Sequence, residues 1–381
     1  MSGPSPTRRS VLPTLLLLVA ATAPSAAMGP LAAQTPGSPA EESVVQPRHR
    51  QILAEQLQAG LEALVREHDG VAGVHAVDLT DGRRFAVRDT LTFPQASAIK
   101  IPVLLELFRR AGEEPGLLGR RVEITDEVRT AGSGVLRWLT DGGAALSLED
   151  HAIYMILYSD NTATNVLIDA LGVDAVNELA VSLGAPSTLL QRKMIRPEES
   201  ARGNENLSTP RDAALLMERI HRCELPMEED ACRRVREILS LPKGHPIRRP
   251  LPDGQEVAFK PGGITGVATV WALVPLADRP YAFSVMSSYG GDAAPLMEAV
   301  SGALWSYFSR LSGVTGYGTR VPLEIKRRVG GGAGSGGDGG GGAGAGAGAG
   351  EAGPDGEARG PGGGAAERGP AASAPQGGSR R

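Results

Sequence analysis

Hydrophobic and polar residues follow two different periods near the start of the foldable part of the chain. From Gln51 to Glu67 the apolar residues recur at the three- and four-residue spacing of an amphipathic helix. Val74–Leu79 instead alternates as a half-buried strand does, and Asp81-Gly82 is a pair typical of tight hairpin turns. We therefore predict a helix followed by a hairpin whose second strand is Arg84–Val87.

The middle of the chain is predicted to be helical, and the last third to return to strands. The apolar run Ile101–Ala111 is a strong helical pattern, with Pro102 in its first turn, where a missing N–H costs little. Further helical patterns lie at Leu148–Tyr158, Ala163–Leu171, Val173–Leu183, Pro210–Arg222 and Asp230–Leu239. Strands are then predicted at Val257–Lys260 and Val267–Pro275, joined by a glycine-rich turn, and at Tyr281–Ser287, before a closing helix at Ala294–Leu311.

This order of elements predicts an α+β fold of the three-layer α/β/α type. Strands from both ends of the domain would form one antiparallel β-sheet, and the helices between them would form an all-helical lobe that covers the sheet. The predicted domain runs from residue 51 to residue 329, which is long enough for one large hydrophobic core.

Both ends of the chain lie outside this domain. Arg8 and Arg9 precede a short apolar run, Val11–Ala23, which small residues follow, so residues 1–34 are interpreted as a signal peptide that resembles the twin-arginine type. A membrane anchor is the alternative, but the run is short for a span. Residues 35–50 are interpreted as a spacer. Residues 330–381 are rich in glycine and contain no aromatic residue, so we expect disorder there. The expected location is the periplasm or the extracellular space.

Composition narrows the expected partners. The net charge is −4 and no basic block carries interleaved aromatic residues, which argues against nucleic-acid binding. The six histidines are scattered without metal-ligand spacing, so neither a metal nor a cofactor is expected. Cys223 and Cys232 are the only cysteines, and in an exported protein they can form a disulfide, with two buried free thiols as the alternative. We expect a monomer that acts on a small-molecule substrate.

The first of three short motifs that carry candidate chemistry is Ser97-Ala98-Ile99-Lys100, at the start of the apolar helix. Residues three apart share a helix face, so the Lys100 amine is expected beside the Ser97 hydroxyl. A serine becomes a good nucleophile when a nearby base takes its proton, and a lysine can be that base when burial or a neighbouring positive charge lowers its pKa. Taken alone, the motif also fits an ordinary helix cap at Ser97.

The second motif is Ser159-Asp160-Asn161, at the end of an apolar helical segment. A second serine hydroxyl can relay a proton to a leaving group, and the Asn161 amide can hold both the lysine and a substrate carbonyl. Taken alone, these three residues also fit a helix-capping cluster.

The third motif is Lys260-Pro261-Gly262-Gly263, at the end of a predicted strand. A lysine there can lower the pKa of Lys100 or of Ser159 by its charge and attract an anionic substrate, and the two glycines let the backbone approach a ligand closely. Taken alone, the motif also fits an ordinary β-turn with an exposed lysine.

In their order along the chain, these motifs resemble the S-x-x-K, S-D-N and K-T-G set of class A β-lactamases and penicillin-binding proteins. The flanking sequences FPQASAIKIPVLLELF and YMILYSDNTATNVLID fit the same group. The resemblance covers about Gln51 to Leu311 and implies a β-lactamase/transpeptidase-like fold.

The resemblance also implies a role for each motif residue. Ser97 would attack an amide or lactam carbonyl and form an acyl-enzyme, with Lys100 as general base or proton relay. Ser159 would carry a proton to the leaving nitrogen, and Asn161 would position Lys100 and the substrate. The backbone beside Gly262, with the N–H groups of Ser97 and Gly263, would form the oxyanion hole, and Lys260 would bind the substrate carboxylate.

Two departures from the family pattern bear on activity. Pro261 replaces the hydroxyl residue of K-T-G, which removes a hydrogen bond to the substrate carboxylate. Class A β-lactamases also use a glutamate in an Ω-shaped loop to activate the deacylating water. One alignment of the matching region puts Met194 at that position, and a slipped alignment puts Glu198 or Glu199 there as the deacylation base.

The function expected from the resemblance is that of a serine hydrolase acting through an acyl-enzyme, most simply a class A-like β-lactamase in β-lactam catabolism and antibiotic resistance. A D-alanyl-D-alanine carboxypeptidase or esterase-like penicillin-binding enzyme is one alternative. A non-catalytic envelope binding protein is another, against which the intact motif residues argue.

Overall fold

The computed structural model describes residues 45–315 and 317–330. The helices are α1 Val45–Glu67, α2 Lys100–Glu113, α3 Leu148–Leu157, α4 Asn161–Leu171, α5 Val173–Ser182, α6 Pro197–Ala201, α7 Pro210–Arg222, α8 Glu229–Ser240, α9 Ala294–Leu311 and α10 Leu323–Gly330. The strands are β1 Val71–Asp78, β2 Arg84–Val87, β3 Phe93–Pro94, β4 Arg121–Glu123, β5 Ala145–Ser147, β6 Leu207–Ser208, β7 Ala258–Ile264, β8 Val267–Val274 and β9 Tyr281–Ser288. The predicted signal peptide and glycine-rich tail lie outside the described residues.

One five-stranded sheet joins the two ends of the domain. Its strand order is β2-β1-β9-β8-β7, and every neighbouring pair is antiparallel. The long ladder between β1 and β9 pairs the first strand of the domain with its last, from Val71 opposite Ser288 to Asp78 opposite Tyr281. The predicted α+β fold with an antiparallel sheet built from both ends of the domain is therefore confirmed. The lobe between them is mainly helical but also holds two short two-stranded pairs, β3 with β6 and β4 with β5.

The sheet buries a hydrophobic core on each of its faces. On one face, Trp271 of β8 and Met286 of β9 belong to the cluster that contains Leu104 of α2 and Met217 of α7. On the other face, Phe283 of β9 belongs to a cluster with residues of α1 and α9. The alternation along β8 and β9 follows from the two-residue period of a strand, which sends successive side chains to opposite cores.

Three element boundaries differ from those predicted. Helix α1 begins at Val45, inside the predicted spacer. Ser97 lies in a 3₁₀ turn, Ala96–Ile99, that precedes α2 rather than in the helix itself. Strand β7 continues past Lys260 through the Pro-Gly-Gly segment to Ile264, where a turn was predicted. Proline is tolerated there because β7 is an edge strand, whose outer side needs no ladder donor.

Cys223 and Cys232 form a disulfide between the end of α7 and the first turns of α8, with their Cα atoms 5.9 Å apart. Cys223 takes a left-handed conformation at the C-cap of α7, and Cys232 is fully buried. The bridge therefore fixes the connection between two helices of the helical lobe. Over the described residues, no helix has the length and apolar character needed to cross a membrane.

Candidate active site

The three motifs meet at the free edge of β7. Ser97 lines a cavity of about 320 Å³ together with Asn161 and Gly263. It also lines a second cavity, of about 420 Å³, together with Ser159 and Lys260. The structure thus brings together residues that stand far apart in the chain, with Lys100 buried beside them.

Lys100 is fully buried, and its amine is held by the S-D-N motif. Nζ donates to the Ser159 carbonyl at 2.7 Å, to Ser159 Oγ at 3.2 Å and to Asn161 Oδ1 at 3.0 Å. Among the hydrogen bonds of the described residues, none joins Lys100 to Ser97. Burial lowers the pKa of Lys100 to about 7, against the opposing effect of the Asp160 charge. A lysine with this pKa is neutral in a large fraction of molecules at neutral pH and can accept a proton.

Lys260 reaches the same serine from the strand side. Its Nζ donates to Ser159 Oγ at 3.1 Å and to the Pro261 carbonyl at 2.9 Å. Burial lowers the pKa of Lys260 well below its ordinary value, and the positive charges of Lys100 and Lys243 lower it further. Ser159 Oγ therefore lies between two buried amines, an arrangement through which a proton can move.

Asp160 ties the S-D-N motif to the loop of residues 132–136, part of which lines the cavity. Its Oδ1 caps α4 by accepting from the Ala163 N–H at 2.9 Å. Its Oδ2 accepts from the N–H groups of Val135 and Leu136 at 2.7 and 2.9 Å. A Cβ on Gly134 would lie 2.2 Å from that same oxygen, so only glycine fits where the loop passes Asp160.

Ser133, on this loop, was missed by motif analysis. It lines both cavities that contain Ser97, and its carbonyl accepts from the Asn161 N–H at 3.0 Å. The glycines on either side of it, Gly132 and Gly134, have φ values of 84° and 111°. The only sequence signal of this constrained loop is a serine flanked by two glycines. This pattern has none of the hydrophobic periodicity that identifies helices and strands.

The backbone of β7 presents an N–H to the cavity. Pro261 has no N–H, so its nitrogen side faces away from β8 and toward the free edge of the sheet. Residues two apart in a strand face the same side of the ladder, so the N–H of Gly263 also faces the free edge. A Cβ on Gly262 would lie 2.3 Å from the Gln95 carbonyl oxygen and 2.8 Å from the Ala98 nitrogen. Glycine at 262 therefore lets β7 pack directly against the turn that carries Ser97.

A family model described as the β-lactamase enzyme family matches residues 55–308. The chain belongs to the β-lactamase enzyme family. This assignment confirms the resemblance inferred from the three motifs. Beta-lactamase L2 of Stenotrophomonas maltophilia is 30% identical over 203 residues, which are 53% of this chain and 64% of that protein. The chain thus spans less than two thirds of the length of this curated relative.

Solved structures of the family share the fold. A β-lactamase from Sphaerobacter thermophilus is 29% identical, with a TM-score of 0.60 and an alignment that covers 67% of this chain and 97% of that one. A variant of PBP-A, solved as an acyl-enzyme complex with penicillin G, is 25% identical, with a TM-score of 0.61 and coverage of 68% and 97%.

Within this family member, Met194 of the predicted Ω region is one of the loop residues that line the cavity with Ser97. Its side chain is 6% exposed and lines the cavity with Ser97 and Asn161. Its backbone is fixed from both sides by Asn165, whose Oδ1 accepts from the Met194 N–H at 2.8 Å and whose Nδ2 donates to the Met194 carbonyl at 3.2 Å. The group offered to the cavity is a thioether, which does not take up a proton as a carboxylate does.

Glu198 and Glu199 lie farther along the chain, on α6, and neither lines either of the two cavities described above. Glu199 accepts hydrogen bonds from Asn204 and Arg202. The Asn204 hydrogen bond, followed by the Arg202 charge, holds its pKa below the ordinary value. The structure does not bring either glutamate together with the other predicted site residues.

Three non-glycine residues at the site have positive φ angles: Ala96 at 45°, Ser159 at 54° and Ile195 at 54°. Each lines one of the two cavities. Such conformations cost free energy and persist where the surrounding contacts enforce them, which is typical of functional sites.

Proposed function

We propose that this protein is a serine hydrolase that β-lactams acylate at Ser97. One observation carries the proposal: Ser159 Oγ lies within hydrogen-bonding distance of both Lys100 Nζ and Lys260 Nζ, at 3.2 and 3.1 Å, and lines the same cavity as Ser97. A proton can therefore be taken up and delivered beside the nucleophile.

The acylation step moves protons through Lys100 and Ser159. Ser97 Oγ attacks the lactam carbonyl carbon while its proton passes to the neutral amine of Lys100. The ring C–N bond breaks as Ser159 donates its hydroxyl proton to the leaving nitrogen, and Lys100 returns a proton to Ser159 through their existing hydrogen bond. The N–H groups of Ser97 and Gly263 stabilise the oxyanion. Lys260 attracts the substrate carboxylate.

Mass spectrometry of the purified protein with a chromogenic cephalosporin tests this proposal. We expect a covalent adduct on the peptide that contains Ser97, with or without release of hydrolysed product. Ser97→Ala should form no adduct. Ser133→Ala, which removes another hydroxyl from the same cavities, should keep it. Folded protein that gives neither an adduct nor hydrolysis would contradict the proposal.

We further propose that the acyl-enzyme accumulates, as in a penicillin-binding enzyme, rather than being released rapidly as in a β-lactamase. The observation that favours this second function is the thioether of Met194, which lines the cavity beside Ser97 where a deacylation base is expected. The measurement that separates the two functions is the lifetime of the adduct after free lactam is removed. A lifetime of minutes or longer supports accumulation, and loss of the adduct within seconds supports a β-lactamase.

We propose that the protein acts outside the cytoplasm, after export directed by residues 1–34. The Cys223–Cys232 disulfide supports this location, because such bonds persist in oxidising compartments. Cell fractionation with an antibody against the mature domain tests it, and protein found only in the cytoplasm would contradict it.

A further inference from the structure

The K-P-G segment lacks one of the hydrogen-bond donors with which the family binds a substrate carboxylate. In the family pattern a hydroxyl side chain follows the lysine and donates to this carboxylate, whereas Pro261 has neither a hydroxyl nor an N–H. Lys260 is retained, but its Nζ already donates to Ser159 and to the Pro261 carbonyl. A tightly bound carboxylate would therefore need a donor from another element.

His245 is the side chain that meets this need. It lies just before a 3₁₀ turn, Pro246–Arg248, and lines the cavity that also contains Ser97, Lys260 and Pro261. Its ring packs against Phe259 of β7, with the ring centroids 5.8 Å apart. This contact fixes the imidazole beside the residue that precedes Lys260.

The local hydrogen bonds determine which ring nitrogen of His245 carries a proton. Nδ1 accepts from the Ile247 N–H at 3.4 Å, so in the neutral ring the proton resides on Nε2. Burial, followed by the charge of Lys260, lowers the pKa of His245 to about 4, which keeps the ring neutral at physiological pH. No described residue accepts a hydrogen bond from Nε2, and the ring is only partly buried.

We propose that the Nε2–H of His245 donates a hydrogen bond to the substrate carboxylate, in place of the hydroxyl that Pro261 lacks. This inference rests on the proposed function and assigns His245 as a specificity-determining residue.

A neutral donor suits this cavity. Lys243 and Lys100 already act on Lys260 as positive charges, and a further cation would add to their repulsion. The one carboxylate that lines the cavity, Asp292, accepts from the Ala294 N–H and is exposed to solvent.

Paired probes and paired variants test this role. The probes are a chromogenic cephalosporin with a free ring carboxylate and the methyl ester of the same compound. The variants are His245→Phe, which keeps a ring against Phe259, and His245→Gln, which keeps an N–H donor near the position of Nε2. Both variants lose the Nδ1 acceptor, so any structural cost of that loss is common to them. The measured quantity is the second-order rate constant of acylation for each probe.

For His245→Phe we expect the preference for the acid over the ester to fall by about 10- to 100-fold, because a hydrogen bond to a charged group is lost. His245→Gln should recover most of that preference. An equal loss for acid and ester in His245→Phe, or no change in their ratio, would overturn the inference while leaving Ser97 acylation intact. Wild-type protein acylated by neither probe would overturn the proposed function and this inference with it.

Discussion

At the scale of single residues, the proposed mechanism makes the buried amine of Lys100 set the pH at which Ser97 can be activated. Only the neutral amine accepts a proton, and its pKa is lowered to about 7. Lowering the pH through 7 protonates Lys100, so the rate constant of acylation should fall about tenfold for each pH unit below the midpoint. A pH profile of acylation from pH 5 to 9 measures this dependence.

Lys243 provides the control for this profile, because burial lowers its pKa to about 7 as well. Its Nζ donates to the Leu239 and Leu241 carbonyls at the end of α8, outside the proposed machinery. Lys243→Gln should keep a midpoint near 7. A midpoint that disappears in this variant, or that lies above 9 in the wild type, would show that Lys100 does not control acylation.

Met194 is the residue at which we expect a substitution to change release of the acyl group. Met194→Glu places a carboxylate in the cavity beside Ser97, held by the same two backbone hydrogen bonds from Asn165. A positioned general base contributes about 100-fold or more, so the lifetime of the acyl-enzyme should shorten by at least that factor. Met194→Gln has a similar size without a base and should leave the lifetime unchanged. Equal lifetimes in both variants would mean that deacylation is limited elsewhere.

The residues of the site fall into two groups: those that belong to short sequence motifs and those that do not. Ser97, Lys100, Ser159 and Lys260 stand in short motifs, so their meeting could be predicted from the resemblance of those motifs to the family's set. Ser133 and His245 could not, because each enters the cavity through loop geometry that leaves no hydrophobic period in the sequence.

At the scale of elements, the contact between β7 and the Ala96–Ile99 turn would position the proposed oxyanion donors. A methyl group on Gly262 would overlap the Gln95 carbonyl oxygen, so Gly262→Ala should push the strand away from the turn. Such overpacking costs about 1–3 kcal/mol of unfolding free energy, and a misplacement of about 1 Å can cost 100-fold in rate. We expect a large fall in the acylation rate constant, whereas the melting temperature should fall only modestly. Both are measurable on the same preparation.

Gly60→Ala is the matched control for Gly262→Ala. Gly60 lies within α1, no neighbouring atom comes within 4 Å of an added Cβ, and alanine favours the helix by about 0.5–1 kcal/mol. This variant should be slightly more stable and equally active. Equal losses of acylation rate in the two glycine variants would show that the contact between β7 and the Ala96–Ile99 turn does not determine activity.

Long elements with a clear period were predictable, and short ones were not. The hairpin β1–β2 and helices α2, α7 and α9 follow their hydrophobic patterns closely. Strand β7 was predicted to end at Lys260 because proline and two glycines usually signal a turn, whereas a free sheet edge accepts all three. Strands β3 and β6 have two residues each and carry no period at all.

At the scale of the whole molecule, the site lies between a sheet and a helical lobe, and each must keep its shape for the motifs to meet. Ser97 and Ser159 come from the lobe, and Lys260 comes from the edge of the sheet. Helix α8 belongs to the lobe yet also packs against β7. The disulfide that fixes the start of α8 therefore stabilises a helix that packs against β7, the strand that carries Lys260.

Reduction of this disulfide gives a prediction for the stability of the folded domain. The bridge joins residues 9 apart, and closing so short a loop stabilises a fold by about 2–3 kcal/mol through the entropy of the unfolded chain. Urea unfolding with a reductant should therefore give an unfolding free energy lower by that amount than urea unfolding without it. The double variant Cys223→Ala with Cys232→Ala should show no response to reductant, because it has no bond to break. An equal fall in the unfolding free energy of the double variant would show that the reductant itself, and not loss of the bridge, causes the effect. An unchanged unfolding free energy of the wild type would show that the disulfide does not stabilise the lobe.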